Sequence, residues 1–287
     1  MLLHAPAKLN LCLYLGPPRP DGLHELCSLF EPLALADLLR VSPAAADVVE
    51  CPGVEGENLA TRALAALRAA GWKHEPLRIE IEKRVPVAAG LGGGSGDAAA
   101  VLRLARGEVA ELAEIAAALG ADVPSQLVPA LALVRGAGER VEPLPGPVPH
   151  AAVLLPDGGG LSTAAVFAAA DRLGTGRSTA ELGELAVRLC EAAGAGASPL
   201  AYPELLVNDL EAPARSLRPA IGAALDALRA AGAPVAVLSG SGPTAVGLFE
   251  DLAAARAAAA KLDRADAIVC AAGVPPECGA SERDSRV

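Results

Sequence analysis

The sequence predicts a mixed fold of strands and helices in two closely packed domains. In LRIEIE, residues 77–82, apolar and charged residues alternate, which is typical of a half-exposed strand. In ENLATRALAALRAAG, residues 57–71, apolar residues recur at helical spacing and a glycine ends the pattern. A chain of 287 residues is long enough for two domains. The proline-dense stretch Pro143–Pro149 predicts their junction, with domains over 1–148 and 149–276 and a tail over 277–287.

The other elements of the first domain follow from similar patterns. LNLCLYL, residues 9–15, alternates loosely as a strand does, and PPRPDGLHE, residues 17–25, carries the Pro, Asp and Gly of a tight turn. After the glycine loop come two helical segments, DAAAVLRLARGE and VAELAEIAAALGADVP. ALALVRGAGERVEPLP, residues 130–145, is predicted to be rich in strand.

In the second domain, AAVLLP at residues 151–156 predicts a strand, and helices are expected from about Thr163 to Ala193. Another helix is expected from about Asn208, and a further one should end near Gly232. APVAVLSGSGPTAVGLFE, residues 233–250, predicts two strands arranged as a hairpin. The final segment, PECGASERDSRV, predicts a frayed polar tail.

Composition and charge exclude several classes of protein. The net charge of −10, without any basic block, argues against a general nucleic-acid-binding protein. No run approaches the roughly 18 uncharged apolar residues of a membrane span, so no contact with a membrane is expected. The first residues lie where a signal peptide would, but Lys8 and Asn10 interrupt their apolar run. We therefore expect a protein that binds neither nucleic acid nor a membrane, as a monomer or a homodimer.

The cysteines indicate a location in the cytoplasm. None of them is spaced as C-x-x-C or lies near a His that could complete a zinc site. We expect reduced, core-filling side chains of a cytoplasmic protein. The six residues are Cys12, Cys27, Cys51, Cys190, Cys270 and Cys278.

The segment VPVAAGLGGGSGDAAAVLRLARGE, residues 85–108, places a run of glycines at the start of a predicted helix. Glycines let backbone N–H groups converge on one point, and the first N–H groups of the helix and its dipole add to that field. This pattern predicts an anion site suited to phosphate. The alternative is an ordinary helix start with Asp97 as its N-cap.

The loop does not match the commonest nucleotide-binding motifs. It lacks G-x-x-x-x-G-K-[ST], so it is not a Walker A loop. GSGDAA from Gly94 and GSGPTA from Gly240 fit the dinucleotide pattern weakly, because a proline-bearing loop precedes the first and Glu114 lies within a helix. Serine hydrolysis is also unsupported, because the chain has no G-x-S-x-G elbow.

Taken together, the motifs resemble those of the GHMP kinases. The segments APAKLNLCLYL, DGLHEL, GLGGGSGDAAA, LGADVP, STAAVF, NDLE and LSGSGPTAVGLF occur in the order and at roughly the distances seen in that family, over about residues 4–250. PAKLN, DGLHEL and GADVP together are more specific than the glycine loop. They are similar to the members that phosphorylate 4-diphosphocytidyl-2-C-methyl-D-erythritol.

The resemblance implies an α+β fold, with a ribosomal-protein-S5-like N-terminal domain, a ferredoxin-like C-terminal domain and a cleft between them. ATP would bind with Mg²⁺ against the glycine loop, and the diphosphocytidyl substrate would lie across from it. The implied reaction is direct transfer of the γ-phosphoryl group to the 2-hydroxyl of the methylerythritol unit, in the non-mevalonate route to isoprenoid precursors. Such a transfer depends mostly on positioning and charge neutralisation.

The resemblance also assigns a catalytic pair. The Asp of GADVP is Asp122, which would accept or orient the proton of the attacking hydroxyl. The Lys of PAKLN is Lys8, which would keep that Asp ionised and polarise the hydroxyl, while Asn10 would contact the polar end of the substrate. From the residues alone, Asp122 is a helix or turn cap before Pro124, Lys8 a solvated strand residue and Asn10 a cap of a strand turn.

The end of the site that binds the base departs from the family pattern. The family usually has Tyr-His where this chain has Leu23 and His24, with the Tyr stacked on cytosine and the His hydrogen-bonded to it. Phe167, beside Ser162 and Thr163, matches the second stacking aromatic, and a core position at a helix start is the alternative. Because base–aromatic stacking contributes about 1–3 kcal/mol, we expect weaker substrate binding or a shifted substrate.

For ATP, the resemblance assigns the glycine loop and two residues outside it. Asn58 and Lys83 match positions near the adenine pocket, with surface helix and surface strand as alternatives. The family commonly has a second serine where this chain has Gly96, so Mg²⁺ would depend on Ser95, Asp97 or water.

SGSGPT would close the cleft from the C-terminal domain, or it is only a tight hairpin turn. The loop residues assigned to ATP are Gly90, Leu91, Gly92, Gly93, Gly94 and Ser95, and those assigned to the substrate from SGSGPT are Gly240, Ser241 and Gly242.

Three functions stay open on the sequence alone. The first is the kinase for the cytidyl substrate. The second keeps the fold and ATP but uses a mevalonate-, homoserine- or sugar-type alcohol; Leu23 favours it, while DGLHEL and Phe167 oppose it. The third is a catalytically inactive nucleotide-binding homologue, which Gly96 allows and the presence of Lys8 and Asp122 opposes.

Overall fold

The computed structural model describes residues 1–54, 56 and 58–273, in which strands and helices alternate along the chain. The strands are β1 Leu2–Pro18, β2 His24–Pro43, β3 Val48–Glu50, β4 Leu77–Glu82, β5 Ala132–Gly136, β6 Arg140–Pro143, β7 His150–Leu155, β8 Val235–Leu238, β9 Ala245–Phe249 and β10 Ile268–Ala272. The α-helices are α1 Leu59–Ala69, α2 Gly93–Arg103, α3 Leu112–Leu119, α4 Val123–Gln126, α5 Thr163–Leu173, α6 Thr179–Ala193, α7 Glu211–Leu217, α8 Ala220–Ala231 and α9 Leu252–Ala259. Two short 3₁₀ turns cover Pro199–Ala201 and Pro203–Leu205.

Strand β2 organises the first half of the chain because it pairs with three other strands of that half. It runs antiparallel to β1 along nearly its whole length, from Leu2 opposite Arg40 to Pro18 opposite His24. Its far end pairs with β4, and its near end pairs with β5. Strand β3 lies parallel to β4, and β6 lies antiparallel to β5.

The later strands form a second antiparallel group in the order β10, β7, β9, β8. Strand β10 connects this group to the first, because Ala272 pairs with Leu33 of β2 on one side and with His150 of β7 on the other. The two groups therefore form one continuous sheet among the described residues. The boundary at 148/149 stays a prediction.

The helices cover the sheet in separate hydrophobic clusters. Helices α1 and α2 pack on β4 and β2, with Leu64, Leu67 and Ile79 buried between them. Helix α6 packs on β1, β2 and β5, and α8 and α9 pack on the second group of strands. None of the helices described is long and apolar enough to cross a membrane.

Most elements lie where the sequence predicts them. The N-terminal strand, the tight turn after it, the helix from Leu59, the strand LRIEIE and the hairpin of β8 and β9 are confirmed. The helices between Thr163 and Ala193 are two, separated after a left-handed Gly174, and α8 ends at Gly232 as expected. The tail from Pro276 lies outside the described residues.

Three details differ from the sequence predictions. The helix after the glycine loop begins at Gly93, inside the loop, so the interpretation of Asp97 as its N-cap is wrong. The helix expected from about Asn208 begins at Glu211, and the Asn208 side chain instead donates to two backbone carbonyls of the β8–β9 turn. Cys51 and Cys190 are only half-buried, whereas Cys12, Cys27 and Cys270 are buried; all five are free thiols, and Cys278 is outside the described residues.

A buried ion pair lies where the two groups of strands meet. The His150 Nε2 atom is 3.1 Å from a carboxylate oxygen of Glu31, and both side chains are almost completely enclosed. The contact lacks the alignment of a good hydrogen bond, and neither Glu31 oxygen has another hydrogen-bond partner in the described structure. Burial alone would lower the pKa of His150, but Glu31 outweighs this effect, and the pKa of His150 is raised above its usual value.

We predict that this pair makes the stability of the fold depend on pH. Because the pKa of His150 is raised in the folded state, its stabilising protonation is complete below about pH 6.5 and is lost as the pH rises through the folded pKa. Glu31→Gln removes the counter-charge and should lower the free energy of unfolding by about 1–3 kcal/mol at pH 6, and by less at pH 8. Urea unfolding at the two pH values measures this, with His74→Gln as the matched surface control. If the free energy of unfolding falls by the same amount from pH 6 to pH 8 in Glu31→Gln and in the native chain, the prediction is wrong.

Candidate active site

A buried lysine on β1 lies at the centre of the site. The Lys8 Nζ atom is 2.6 Å from Asn10 Oδ1 and 3.2 Å from Asp122 Oδ2, and it lies 4.6 Å from the centre of the Phe30 ring. Only 4% of Lys8 is exposed, so its interpretation as a solvated strand residue is wrong. A buried ammonium has to be paired, and these three neighbours supply the pairing.

Strand geometry aligns Asn10 with Lys8. Residues two apart on a strand point to the same face, which places both side chains on one side of β1. The Asn10 Nδ2 group donates to Ser28 Oγ at 3.0 Å on the adjacent β2, so the amide oxygen is turned toward Lys8. Asn10 is therefore a buried partner of the lysine and not a cap of a strand turn.

The glycine loop crosses directly over Lys8. The Lys8 backbone N–H donates to the Leu91 carbonyl at 2.9 Å. A Cβ atom at Gly92 would lie 2.7 Å from Lys8 Cγ, and Gly92 has a φ of 68°. Only glycine permits both the close approach and this backbone conformation, so Gly92 allows the loop to lie against the lysine.

Asp122 lies before α4 and faces open space. It occupies the N-cap position of α4, but its side chain accepts no capping hydrogen bond from that helix. The backbone carbonyl of Asp122 accepts from Ser125 Oγ at 2.8 Å, which fixes the turn. One third of the Asp122 side chain is exposed, in contrast to its partner Lys8. The carboxylate is thus held by one cation and open to a ligand.

Two cavities meet at this carboxylate. The larger has a volume of about 710 Å³ and includes Lys8 and Asn10 in its lining. The smaller, of about 340 Å³, is lined by the glycine loop. Gly90, Ser95 and Asp122 line both. A group that passes from a molecule in one cavity to a molecule in the other therefore passes beside Ser95 and Asp122.

The smaller cavity contains the features that predict an anion site. Helix α2 begins at Gly93, with Gly92 as a left-handed N-cap, so the N–H groups at its start are free of helical partners. A side chain at Gly94 would meet no atom closer than 3.9 Å, which leaves the loop open on that side. Leu91 lines the cavity but is otherwise buried in the core.

Asn58 and Lys83 line the same cavity, each with a structural role as well. Asn58 Oδ1 accepts from the Thr61 N–H at 2.9 Å and so caps α1. Lys83 is not a surface strand residue, because its Nζ atom donates to two buried carboxylates, Asp37 and Asp97, the latter at 2.8 Å. Both residues therefore combine support of the fold with a position in the cavity wall.

The surroundings of Asp97 disfavour a role as a Mg²⁺ ligand. Burial raises its pKa; Lys83 opposes this and the charge of Asp37 adds to it, so that the pKa of Asp97 rises to about 7. Asp97 is also only 4% exposed and already accepts from Lys83, which leaves its carboxylate little access to a hydrated Mg²⁺ ion. Of the two candidates from the sequence, Ser95 is the better placed, because it lines both cavities.

Gly96 does not face either cavity. A Cβ atom there would lie 3.0 Å from the Pro6 carbonyl oxygen and 3.6 Å from the Ala5 side chain, both on β1. A serine at this position would therefore press its side chain toward β1. The absence of a second serine removes no hydroxyl from the cavity walls.

The turn between β8 and β9 reaches the glycine loop through Ser239, the first residue of SGSGPT, for which the sequence analysis predicted no role. The buried Ser239 Oγ donates to the Gly90 carbonyl at 2.9 Å and lies 3.4 Å from the Asn10 N–H. Of the three residues predicted in SGSGPT, Gly240 and Ser241 line the larger cavity. Gly242 instead packs behind them, next to Gly90 and Leu238. Ser239 is the first residue of SGSGPT, but its contacts with the loop and with β1 depend on segments distant in sequence.

The far end of the larger cavity holds the residues predicted to bind a base. The His24 ring lies 5.4 Å from that of Phe167, at an interplanar angle of 45°. Phe167 is half-buried on α5 and lines the cavity, so it is not simply a core residue. Leu23 is 52% exposed at the rim. Thr163, at the start of α5, shares a hydrogen bond of 2.9 Å with Ser241 and thus connects α5 to the β8–β9 turn.

Two glycines of the loop should respond differently to the same substitution. Gly90 has a φ of 77°, and a Cβ atom there would lie 2.5 Å from the Ser239 carbonyl, so Gly90→Ala should lower the free energy of unfolding by at least about 1–3 kcal/mol. Gly94→Ala, within α2 and beside open space, should raise it by about 0.5–1 kcal/mol. Urea unfolding without nucleotide measures both. A Gly90→Ala chain as stable as the native one would show that the loop does not press on the turn.

Asp97→Asn should stabilise the protein more as the pH rises. Because the pKa of Asp97 is raised from 3.8 to about 7 on folding, its contribution to stability is complete below about pH 4 and is lost as the pH rises through about 7. Asn imitates the protonated form. The free energy of unfolding of the variant should therefore exceed that of the native chain by more at pH 8 than at pH 5, as measured by urea unfolding. Asp37→Asn is the matched control; Asp37 accepts from the Arg84 and Val85 N–H groups, and its loss should destabilise at both pH values. A difference between Asp97→Asn and the native chain that does not change with pH would contradict the prediction.

Known proteins that are similar to this chain are GHMP kinases. The N-terminal domain of the GHMP kinases matches residues 58–130, and the C-terminal domain of the GHMP kinases matches residues 180–268. A 4-diphosphocytidyl-2-C-methyl-D-erythritol kinase of Nocardia farcinica is 41% identical over 278 residues, which cover 91% of this chain and 89% of that protein.

Solved structures give the same result. The crystal structure of a 4-(cytidine 5'-diphospho)-2C-methyl-D-erythritol kinase is 38% identical and superposes with a TM-score of 0.78, over 96% of this chain and 100% of that one. A homoserine kinase from Cytophaga hutchinsonii, 18% identical with a TM-score of 0.63 over 94% of this chain and 92% of its own, shares the fold alone. The expected α+β fold is thus confirmed. The chain belongs to the GHMP kinase family, and within it to the 4-diphosphocytidyl-2-C-methyl-D-erythritol kinases.

Proposed function

We propose that this chain transfers the γ-phosphoryl group of ATP to the 2-hydroxyl of 4-diphosphocytidyl-2-C-methyl-D-erythritol, a step in the formation of isoprenoid precursors. As a GHMP kinase, it is an ATP-dependent kinase of a small molecule. The observation that carries the proposal is the position of the Lys8–Asp122 ion pair where the two cavities meet. The expected location in the cytoplasm rests on the sequence and stays a prediction.

The smaller cavity is the proposed nucleotide site. The N–H groups at the start of α2 and the dipole of that helix favour a phosphate beside Gly93 and Gly94. Asn58 and Lys83 line its other side, where the adenosine would lie. In this arrangement the terminal phosphate of ATP points toward Ser95 and Asp122.

The acceptor occupies the larger cavity with its hydroxyl at Asp122. The carboxylate accepts the proton of that hydroxyl while the hydroxyl oxygen forms its bond to the γ-phosphorus. The bond from this phosphorus to the bridging oxygen of ATP breaks, and ADP leaves with that electron pair. Lys8 forms the ion pair with Asp122 and supplies positive charge at the attacking oxygen.

The site suits one Mg²⁺ ion held mainly by phosphates and water. Mg²⁺ usually takes one or two protein ligands and keeps several waters, and the Ser95 hydroxyl would be such a ligand. No cluster of three or more His, Cys, Asp or Glu that could hold a metal occurs among residues 1–54, 56 and 58–273. When bound, the ion neutralises charge on the phosphates.

Two alternatives to this function lose support. An inactive homologue was allowed by Gly96, but that residue faces β1 and leaves the cavity walls intact. A smaller alcohol was favoured by Leu23, but a cavity of about 710 Å³ with His24 and Phe167 at its far end suits a substrate that extends to a ring. Leu23 offers an apolar contact at the rim in place of a stacked ring, so we expect a raised KM for the cytidyl substrate.

ADP release with Mg-ATP and the cytidyl substrate tests the function. Asp122→Asn should lower kcat by about 10²–10⁴-fold, because the acceptor of the proton is lost. Lys8→Met should have an effect of similar size, whereas Asp226→Asn, a surface carboxylate on α8 paired with Arg229, should leave kcat unchanged. Mevalonate and homoserine serve as comparison substrates. Turnover of either one without turnover of the cytidyl substrate would refute the proposal.

A further inference from the structure

Asp171 contacts the ring of His24 at the wall of the larger cavity. Its Oδ1 atom lies 2.8 Å from His24 Nε2, and both residues line the larger cavity. Asp171 and Phe167 are one helical turn apart on α5, so they lie on the same face of that helix. Phe167 contacts the His24 ring while Asp171 engages its edge. The exposed fraction of the His24 side chain is only 8%, compared with 56% for Asp171.

This hydrogen bond determines which ring nitrogen can accept. An ionised carboxylate accepts hydrogen bonds and cannot donate one, so the hydrogen lies on His24 Nε2. In the neutral ring, Nδ1 then carries the lone pair and acts as an acceptor. Within the described part of the chain, His24 Nδ1 makes no hydrogen bond to another residue. The ring therefore offers one acceptor that no protein group uses.

The two pyrimidine bases differ at the position that such an acceptor recognises. Cytosine carries an amino group at C4, which donates, whereas uracil carries an oxygen there, which only accepts. An acceptor nitrogen can form a hydrogen bond with the amino group of cytosine. Opposite the C4 oxygen of uracil it would place two acceptors together, which repel each other. A buried site built to accept a hydrogen bond discriminates strongly against a ligand that cannot donate it.

We infer that Asp171 is a positioning residue that fixes the tautomer of His24 and thereby makes the larger cavity select a cytosine ring over a uracil ring. This inference rests on the proposed function for the identity of the substrate. Its support is the contact between Asp171 and His24, together with the place of both in the cavity wall. Asp171 acts through His24 and takes no part in phosphoryl transfer.

The tautomer can be measured without any substrate. The chain has four histidines, and ¹⁵N-labelled imidazole spectra distinguish the two ring nitrogens. At pH 8 we expect the His24 ring to show a hydrogen on Nε2 and a bare Nδ1, with His24→Gln to assign the signals. Asp171→Ala should shift the ring to a mixture of tautomers, and Asp226→Asn should leave it unchanged. A mixture of the two His24 tautomers in the native chain would overturn the inference.

Kinetics then test the consequence for specificity. We compare kcat/KM for the cytidyl substrate with that for its uridine analogue. Asp171→Asn, whose amide can donate to Nε2 and reverse the tautomer, should reduce this ratio by about 10-fold or more, chiefly through a raised KM for the cytidyl substrate. The KM for ATP and the melting temperature should stay near native values, and Asp171→Glu should restore part of the ratio. An unchanged ratio in both Asp171→Asn and Asp171→Ala would overturn the inference.

Binding of free nucleotides separates this inference from the proposed function. Calorimetry with cytidine diphosphate and uridine diphosphate needs no turnover. The native chain should prefer cytidine diphosphate, and Asp171→Asn should lose that preference. If the native chain shows the preference but does not phosphorylate the cytidyl substrate, the proposed function fails and the inference stands. If it phosphorylates both pyrimidine substrates equally well, the proposed function stands and the inference fails.

Discussion

A positive charge buried under the glycine loop is the constraint on which the rest of the site depends. The ammonium of Lys8 has little access to water, and a buried charge is tolerated only where it is paired and hydrogen-bonded. Asn10 and Asp122 supply two oxygens, and the ring of Phe30 covers a third side. The loop can lie over the lysine because Gly92 has no side chain. The arrangement that satisfies the ammonium therefore also holds Asp122 at the boundary of the two cavities.

The second half of the chain joins this arrangement through one buried hydroxyl. Ser239 Oγ contacts the Gly90 carbonyl of the loop and the Asn10 N–H of β1. Three segments that are distant in sequence thus meet at one atom, and the residues of the β8–β9 turn that line the larger cavity are held at a set distance from the loop. Glycine at position 90 is part of this contact, because its backbone touches the turn directly. The glycine loop and the larger cavity are therefore positioned by the same hydrogen bond.

Patterns confined to one segment were enough to predict most strands and helices, because alternation and helical spacing record which face is buried. The contacts of the site could not be predicted in this way. Family motifs pointed to Lys8 and Asp122, but nothing in their spacing shows that the two side chains touch. Asp97 was misinterpreted as a cap because α2 begins on glycines, which carry no capping side chain. Ser239 lies in the SGSGPT motif, but its contacts could not be predicted, since its partners lie in other segments. Each of these depends on tertiary contacts between distant parts of the chain.

Asp97 and Asp122 both lie near the glycine loop, and their surroundings, rather than their residue type, determine their roles. Lys83 is shared between Asp37 and Asp97, and one cation cannot neutralise two buried carboxylates. A proton on Asp97 takes the place of the second cation, which agrees with its raised pKa of about 7. Among the described residues, Asp122 is the one carboxylate that forms an ion pair with Lys8, whose other oxygen partner is the neutral Asn10. Asp122 also lines both cavities. A base for phosphoryl transfer must be ionised and within reach of the acceptor. Asp122, paired with the Lys8 ammonium where the two cavities meet, has the position that the proposed role requires, whereas Asp97 is buried against Lys83.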